Sequence, residues 1–136
     1  MAAQSFHLQV VELPVRDVVQ SLAWYREMFG LELCFPFHEG DTEAGLNVNG
    51  LGLMLIQTPE VPKLEFVSMR GERKHILTFQ VDHIHELHEE LKAKGVDVKE
   101  MVYKKGGGYS FRFCDPDGNM LGIWGGWPNE DEEQSE

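Results

Sequence analysis

Cysteine is scarce in this chain of 136 residues, with Cys34 and Cys114 the only two. Two thiols cannot staple a disulfide scaffold, so a reducing, cytoplasmic setting is expected. Bases are short as well: 12 Lys and Arg stand against 23 Asp and Glu, for a net charge of −11. A nucleic-acid binder needs a basic footprint, and an anionic membrane disfavours such a chain, so neither partner is expected. No apolar run approaches the roughly 20 residues of a membrane helix. Met1 to Ser5 lack the basic and apolar regions of a secretory leader, and none is expected. No Gly-x-Ser-x-Gly elbow marks a serine hydrolase. Lys104-Lys105-Gly106-Gly107-Gly108 lacks the Gly-Lys-Ser/Thr of a phosphate loop, so it reads as a flexible strand connection or a lid.

What is present is ordinary globular material, 42% apolar and 26% charged. It suits one domain over residues 1–126. The acidic stretch 127–136 has no apolar periodicity and is expected to be disordered. Phe6 to Val15 alternates like a strand. Asp17 is a good N-cap, with Gln20 as capping-box partner, and Val18, Leu22, Tyr25 and Phe29 recur at helical spacing before Gly30. Leu31 to Phe37 alternates again. Asn49-Gly50 between Gly45–Val48 and Leu51–Ile56 signals a tight hairpin. After Pro59 and Pro62 the pattern restarts. A strand His75–Val81 leads to a helix capped by Asp82 and ended by Gly95. Strands Val96–Val102 and Tyr109–Cys114 follow, then the turn Asp115-Pro116-Asp117-Gly118 and a closing strand to Trp124.

The halves repeat. Val15 and Val81 are 66 residues apart, Asp17 and Asp82 are 65 apart, as are Gly30 and Gly95, and Gly50 and Gly118 are 68 apart. The pattern is βαβββ twice, over about 6–58 and 74–125, and neither half can bury its sheet alone.

The residues Leu13-Pro14-Val15-Arg16-Asp17, Ser21 to Arg26 and Phe29-Gly30, the stretch Ile76–Val98, and Asp115 to Asn119 resemble the vicinal oxygen chelate superfamily. That superfamily includes glyoxalase I, extradiol dioxygenases, and fosfomycin- and bleomycin-resistance proteins. The resemblance implies an α+β fold: two tandem βαβββ modules form a curved mixed sheet around a cavity, with helices on the convex side. It also implies a homodimer. Strand parity then points Leu13, Val15, Leu77, Phe79, Leu121 and Ile123 to the helices. The same parity points Val10, Glu12, Ile76, Thr78, Gln80, Arg112, Gly122 and Trp124 to the cavity.

Metal-dependent members of the superfamily place one His, Glu or Gln ligand on each of four strands. The matching positions here, five residues before Val15 and Val81 and on the two last strands, are Val10, Ile76, Met54 and Gly122. None suits a hard or borderline metal, so no metal and no cofactor is expected. His75 is one residue out of register and is expected to face outward or toward the helix. A one-residue slip would turn it inward, but would carry Leu77 and Phe79 into the cavity. His85 and His88 are three apart, not the four of a zinc-protease helix, and read as a solvated helix face.

Glu12 and Arg112 allow three readings: an ion pair across the cavity floor, separate contacts to a ligand, or Glu12 as a metal-free general base. Trp124 beside Met54 and Ile76 would suit a planar ligand, with Gly122 leaving space beside it. The ligand-binding set is therefore Val10, Glu12, Met54, Ile76, Thr78, Arg112, Gly122 and Trp124, and no catalytic residue is assigned. The sequence reads as a metal-free small-molecule binding protein that sequesters a planar or cationic ligand. The alternative is a superfamily lyase, isomerase or dioxygenase using a metal or Glu12. Cys34 and Cys114 read as buried, inert thiols.

Overall fold

Asp17 starts the first helix as the sequence predicts: its carboxylate accepts from the Gln20 amide at 3.1 Å. In the computed structural model, which describes residues 4–129, helix α1 runs Val18–Phe29 and Gly30 caps it in the left-handed region. Val18, Leu22 and Tyr25 are buried on one face, as their spacing requires.

The chain divides into two compact units, 1–62 and 63–136. In the first, strands β1 (Val10–Val15), β2 (Glu32–Leu33), β3 (Glu43–Val48) and β4 (Leu51–Gln57) form one sheet in the order β1-β4-β3-β2. β1 and β4 are parallel and the other pairs antiparallel. Leu13, Val15, Ala44, Leu46, Leu53 and Leu55 are buried, which makes one face of the sheet apolar. Asn49 and Gly50 both have positive φ, 50° and 92°, the backbone that a two-residue hairpin of matching twist demands. Two strands are shorter than the pattern predicts. β1 omits residues 6–9, and the expected strand Leu31–Phe37 contracts to β2, because the chain bends at Cys34 and Phe35 ahead of Pro36, which has no N–H to resume a ladder.

The second unit opens with a hairpin that the sequence pattern missed, β5 (Glu65–Val67) and β6 (Arg73–His75). Its main sheet has the order β7-β11-β10-β8, from β7 (Thr78–Gln80), β8 (Asp97–Val98), β10 (Gly108–Cys114) and β11 (Met120–Trp124). β9 (Val102–Lys104) pairs with β10 off that path. β7 and β11 are parallel, as β1 and β4 are, so the repeat is visible in the topology. Helix α2 spans Ile84–Ala93. Its N-cap is His83, not Asp82, and it makes no side-chain capping bond. Ile84, Leu91, Val96, Phe111, Phe113, Leu121 and Ile123 are the buried apolar set. The turn after β10 is held by buried Asp115, whose Oδ1 accepts from the Asp117 and Asn119 amides, each at 2.9 Å. The architecture is α+β with two βαβββ units and mixed sheets. No helix among the described residues is long and apolar enough to cross a membrane. The acids from Glu130 onward lie outside the described residues.

Candidate functional site

The expected strand His75–Val81 is broken at Ile76 and Leu77. His75 ends β6 and pairs with Glu65, while Thr78 begins β7 and pairs with Gly122. The parity argument for His75 assumed one unbroken ladder. With the ladder interrupted, His75 is free of the β7 register.

The imidazole lies over Gly122. A Cβ built on Gly122 would collide with His75 Nε2 and stand 2.8 Å from its Cε1. Nε2 also hydrogen-bonds Thr78 Oγ1 at 2.7 Å. His75 therefore corrects two expectations: it does not face outward or toward the helix, and it replaces Ile76 beside Gly122. Ile76 sits in the bend and is 58% exposed.

Register builds the rest of this face. Arg112 is opposite Gly122, Ser110 is opposite Trp124, and Val102 is opposite Ser110. Residues paired across a ladder point to the same side of a sheet. They line an open groove of about 1160 Å³ that also takes in His75, Thr78 and Met120. Of the sequence-derived set, Thr78, Arg112, Gly122 and Trp124 meet here. His75, Ser110, Val102 and Met120 were missed.

Two features fix the groove's chemistry. The Trp124 indole N–H donates to the Gly107 carbonyl at 2.7 Å, and Trp127 packs edge-on against it at 4.9 Å between ring centroids. The glycine-rich segment is thus the β9–β10 turn that anchors an indole. Burial, then the positive charges of Arg112 and Lys74, hold the His75 imidazole below its usual pKa of 6.5. It is neutral at pH 7.

This sets a linkage. Unfolded His75 binds a proton near pH 6.5 and folded His75 only at lower pH. Its contribution to stability is therefore full above 6.5 and is lost as pH falls from there through the folded pKa. An NMR titration of the His75 ring should give a midpoint below 6.5, and Arg112→Gln should raise it. A wild-type midpoint above 6.5 would contradict the placement beside Arg112.

Val10, Glu12 and Met54 belong to the first unit. Val10 and Glu12 are exposed and Met54 is half-buried. Glu12, Met54 and Gly45 are neighbours across β1, β4 and β3. A Cβ on Gly45 would stand 2.6 Å from Phe35 Cε1 and 2.9 Å from Met54 Sδ, so a ring and a thioether cover that glycine.

The residues do not fit the superfamily's metal. Val10, Met54 and Gly122 supply no hard donor, and among the described residues the His75 ring is hydrogen-bonded to Thr78, a hydroxyl and not a carboxylate. Among the described residues, no three His, Cys, Asp or Glu side chains cluster as a metal would need.

The remaining candidates are structural. His88 donates to the Lys99 carbonyl at 2.8 Å and His85 packs on Tyr109 at 4.4 Å, so neither ring is simply solvated. Cys34 is exposed rather than buried. Burial first, and the Asp97 carboxylate second, push the Cys114 thiol up, which keeps it protonated and unreactive.

The sequence matches the family described as Glyoxalase/Bleomycin resistance protein/Dioxygenase superfamily over residues 7–123. No curated protein matches it. Among solved structures, the fosfomycin resistance protein FosX from Listeria monocytogenes superimposes with a TM-score of 0.70 at 20% identity, covering 98% of each chain. TnmS3, an antibiotic binding protein from Streptomyces sp. CB03234, gives 0.69 at 22% identity, over 90% of this chain and 98% of that one. Lactoylglutathione lyase from Agrobacterium tumefaciens gives 0.68 at 19%, over 90% and 95%. At these identities the likeness concerns the fold.

Proposed function

Because the chain belongs to the Glyoxalase/Bleomycin resistance protein/Dioxygenase superfamily, we propose that it is a small-molecule binding protein that works without a metal. The observation that carries this reading is the groove of the second unit, where a fixed indole, a neutral imidazole, a hydroxyl and a guanidinium line one open sheet face. An apolar plate with a few polar groups around it is the usual makeup of a ligand site. TnmS3, of the same fold, is described as an antibiotic binding protein, which supports this reading. On this reading the protein is a homodimer, as the superfamily resemblance implies, and cytoplasmic, as the scarcity of cysteine suggests.

The test is elemental analysis of protein purified without chelator or affinity metal, followed by thermal melts with Mn²⁺, Fe²⁺, Ni²⁺ and Zn²⁺. Metal at 100 times its Kd would stabilise the fold by about 2.7 kcal/mol. The expected result is no stoichiometric metal and an unchanged melt. One retained equivalent that raises the melting temperature overturns the metal-free reading.

One observation favours a second reading, a lyase or isomerase. His75 is neutral, hydrogen-bonded to Thr78 and open to the groove, which suits a general base better than exposed Glu12 does.

A further inference from the structure

The charges lining the second unit's groove cancel in pairs, with Arg112 and Glu100 left over among the described residues. Lys74 Nζ is 3.1 Å from Glu72, Lys99 Nζ is 3.1 Å from Asp97, and Arg73 is 3.6 Å from Glu65. Arg112 has no carboxylate partner among the described residues of its unit. Among the described residues, the hydrogen bond that its side chain makes is a long one, 3.4 Å, from Nη1 to the Arg73 carbonyl. A guanidinium carries five N–H donors in a fork shaped for a carboxylate, so most of this one's capacity is unused.

Its surroundings narrow the ligand further. Arg112 sits opposite Gly122 in the β10–β11 ladder, and the His75 ring occupies the space over Gly122. The guanidinium and imidazole therefore border one spot on the groove floor. Lys74 adds positive potential there from β6, and Thr78 contributes its hydroxyl from β7. A bound anion there would meet the positive charges of Arg112 and Lys74. Glu100, on the segment after β8, is the groove's other charge without an ion-pair partner among the described residues, and it disfavours a dianion. Two residues along β11 from Gly122 stands Trp124. The indole's only N–H is used on Gly107, which leaves the ring faces for apolar contact. Val102 and Met120 extend the apolar lining.

We propose that this groove takes an aromatic monocarboxylate, with the carboxylate on Arg112 beside His75 and the ring against Trp124. The proposal rests on the groove being the binding site and names the ligand class it accepts. It replaces the cationic ligand that the sequence suggested, because the unpaired charge beside His75 and Gly122 is the Arg112 guanidinium.

The test is calorimetric titration with three probes of one shape at pH 7.5: 2-naphthoate, 2-naphthalenemethanol and 2-naphthylmethylammonium. The expected result is naphthoate at least tenfold tighter than the alcohol, and no measurable binding of the ammonium. Arg112→Gln should erase the preference for naphthoate while the alcohol still binds, and Arg112→Lys should restore part of it. If the alcohol or the ammonium binds as tightly as naphthoate, and Trp124→Ala abolishes that binding, the carboxylate assignment fails and the groove remains the site. If none of the three binds, both fail. Naphthoate binding that Arg112→Gln leaves unchanged also overturns the proposal.

Discussion

Gly122→Val is expected to lower the groove's affinity for 2-naphthoate by tenfold or more while shifting the melting temperature by only a few degrees. The new Cβ would land on the His75 ring, with His75 Cδ2 at 3.0 Å as well as the closer atoms. That ring is the end of a side chain rather than backbone, so it can swing away and the sheet need not move. Valine also suits a strand position. The loss falls on the site: His75 gives up its Thr78 hydrogen bond, and the valine methyls fill the floor beside Arg112. The ring would also leave the burial and the Arg112 charge that hold its pKa down. Its NMR midpoint should move up toward 6.5 in the same variant. Unchanged affinity together with an unchanged midpoint would show that His75 does not depend on the bare glycine.

This dependence also shows what could be read from the sequence. Signals that act locally were legible. Asp17 caps a helix with its own side chain, Asn49-Gly50 accepts positive φ, and Asp115 ties its turn through two nearby amides. The register of the repeat followed from these landmarks, and with it the shared face of Thr78, Arg112, Gly122 and Trp124. His75 was not legible, because its backbone is held by Glu65 in a different ladder from β7. The signal that could have found it was Gly71, in a short connection between Glu65–Val67 and Arg73–His75, which marks a hairpin with a longer loop. Recognising that hairpin would have ended the strand at His75 and removed the parity argument that turned its ring away. The fate of Ile76 follows from the same error: a residue in a bend has no face to keep.

The largest stability effect is expected at Gly108→Val. Gly108 begins β10 with φ of +82°, a conformation that costs an L-residue about 1–2 kcal/mol. A Cβ there would also stand 2.5 Å from the Gly126 carbonyl oxygen, and backbone cannot step aside as a ring can. The two penalties together should reach about 3 kcal/mol, or roughly 10 °C of melting temperature for a protein of this size. The damage should reach the groove, because the preceding residue's carbonyl holds the Trp124 indole. Gly107→Ala is the control. A Cβ on Gly107 would meet only the Lys104 side chain, at ordinary contact distances of 3.5 Å and beyond. Its melt should stay within about 2 °C of the wild type, since a surface change without strain is worth only some ±0.5 kcal/mol. Thermal melts followed by tryptophan fluorescence read both effects at once. If Gly108→Val melts with Gly107→Ala, the turn adapts to a side chain, and the Gly107 carbonyl is not a rigid anchor for the indole on which the aromatic half of the site depends.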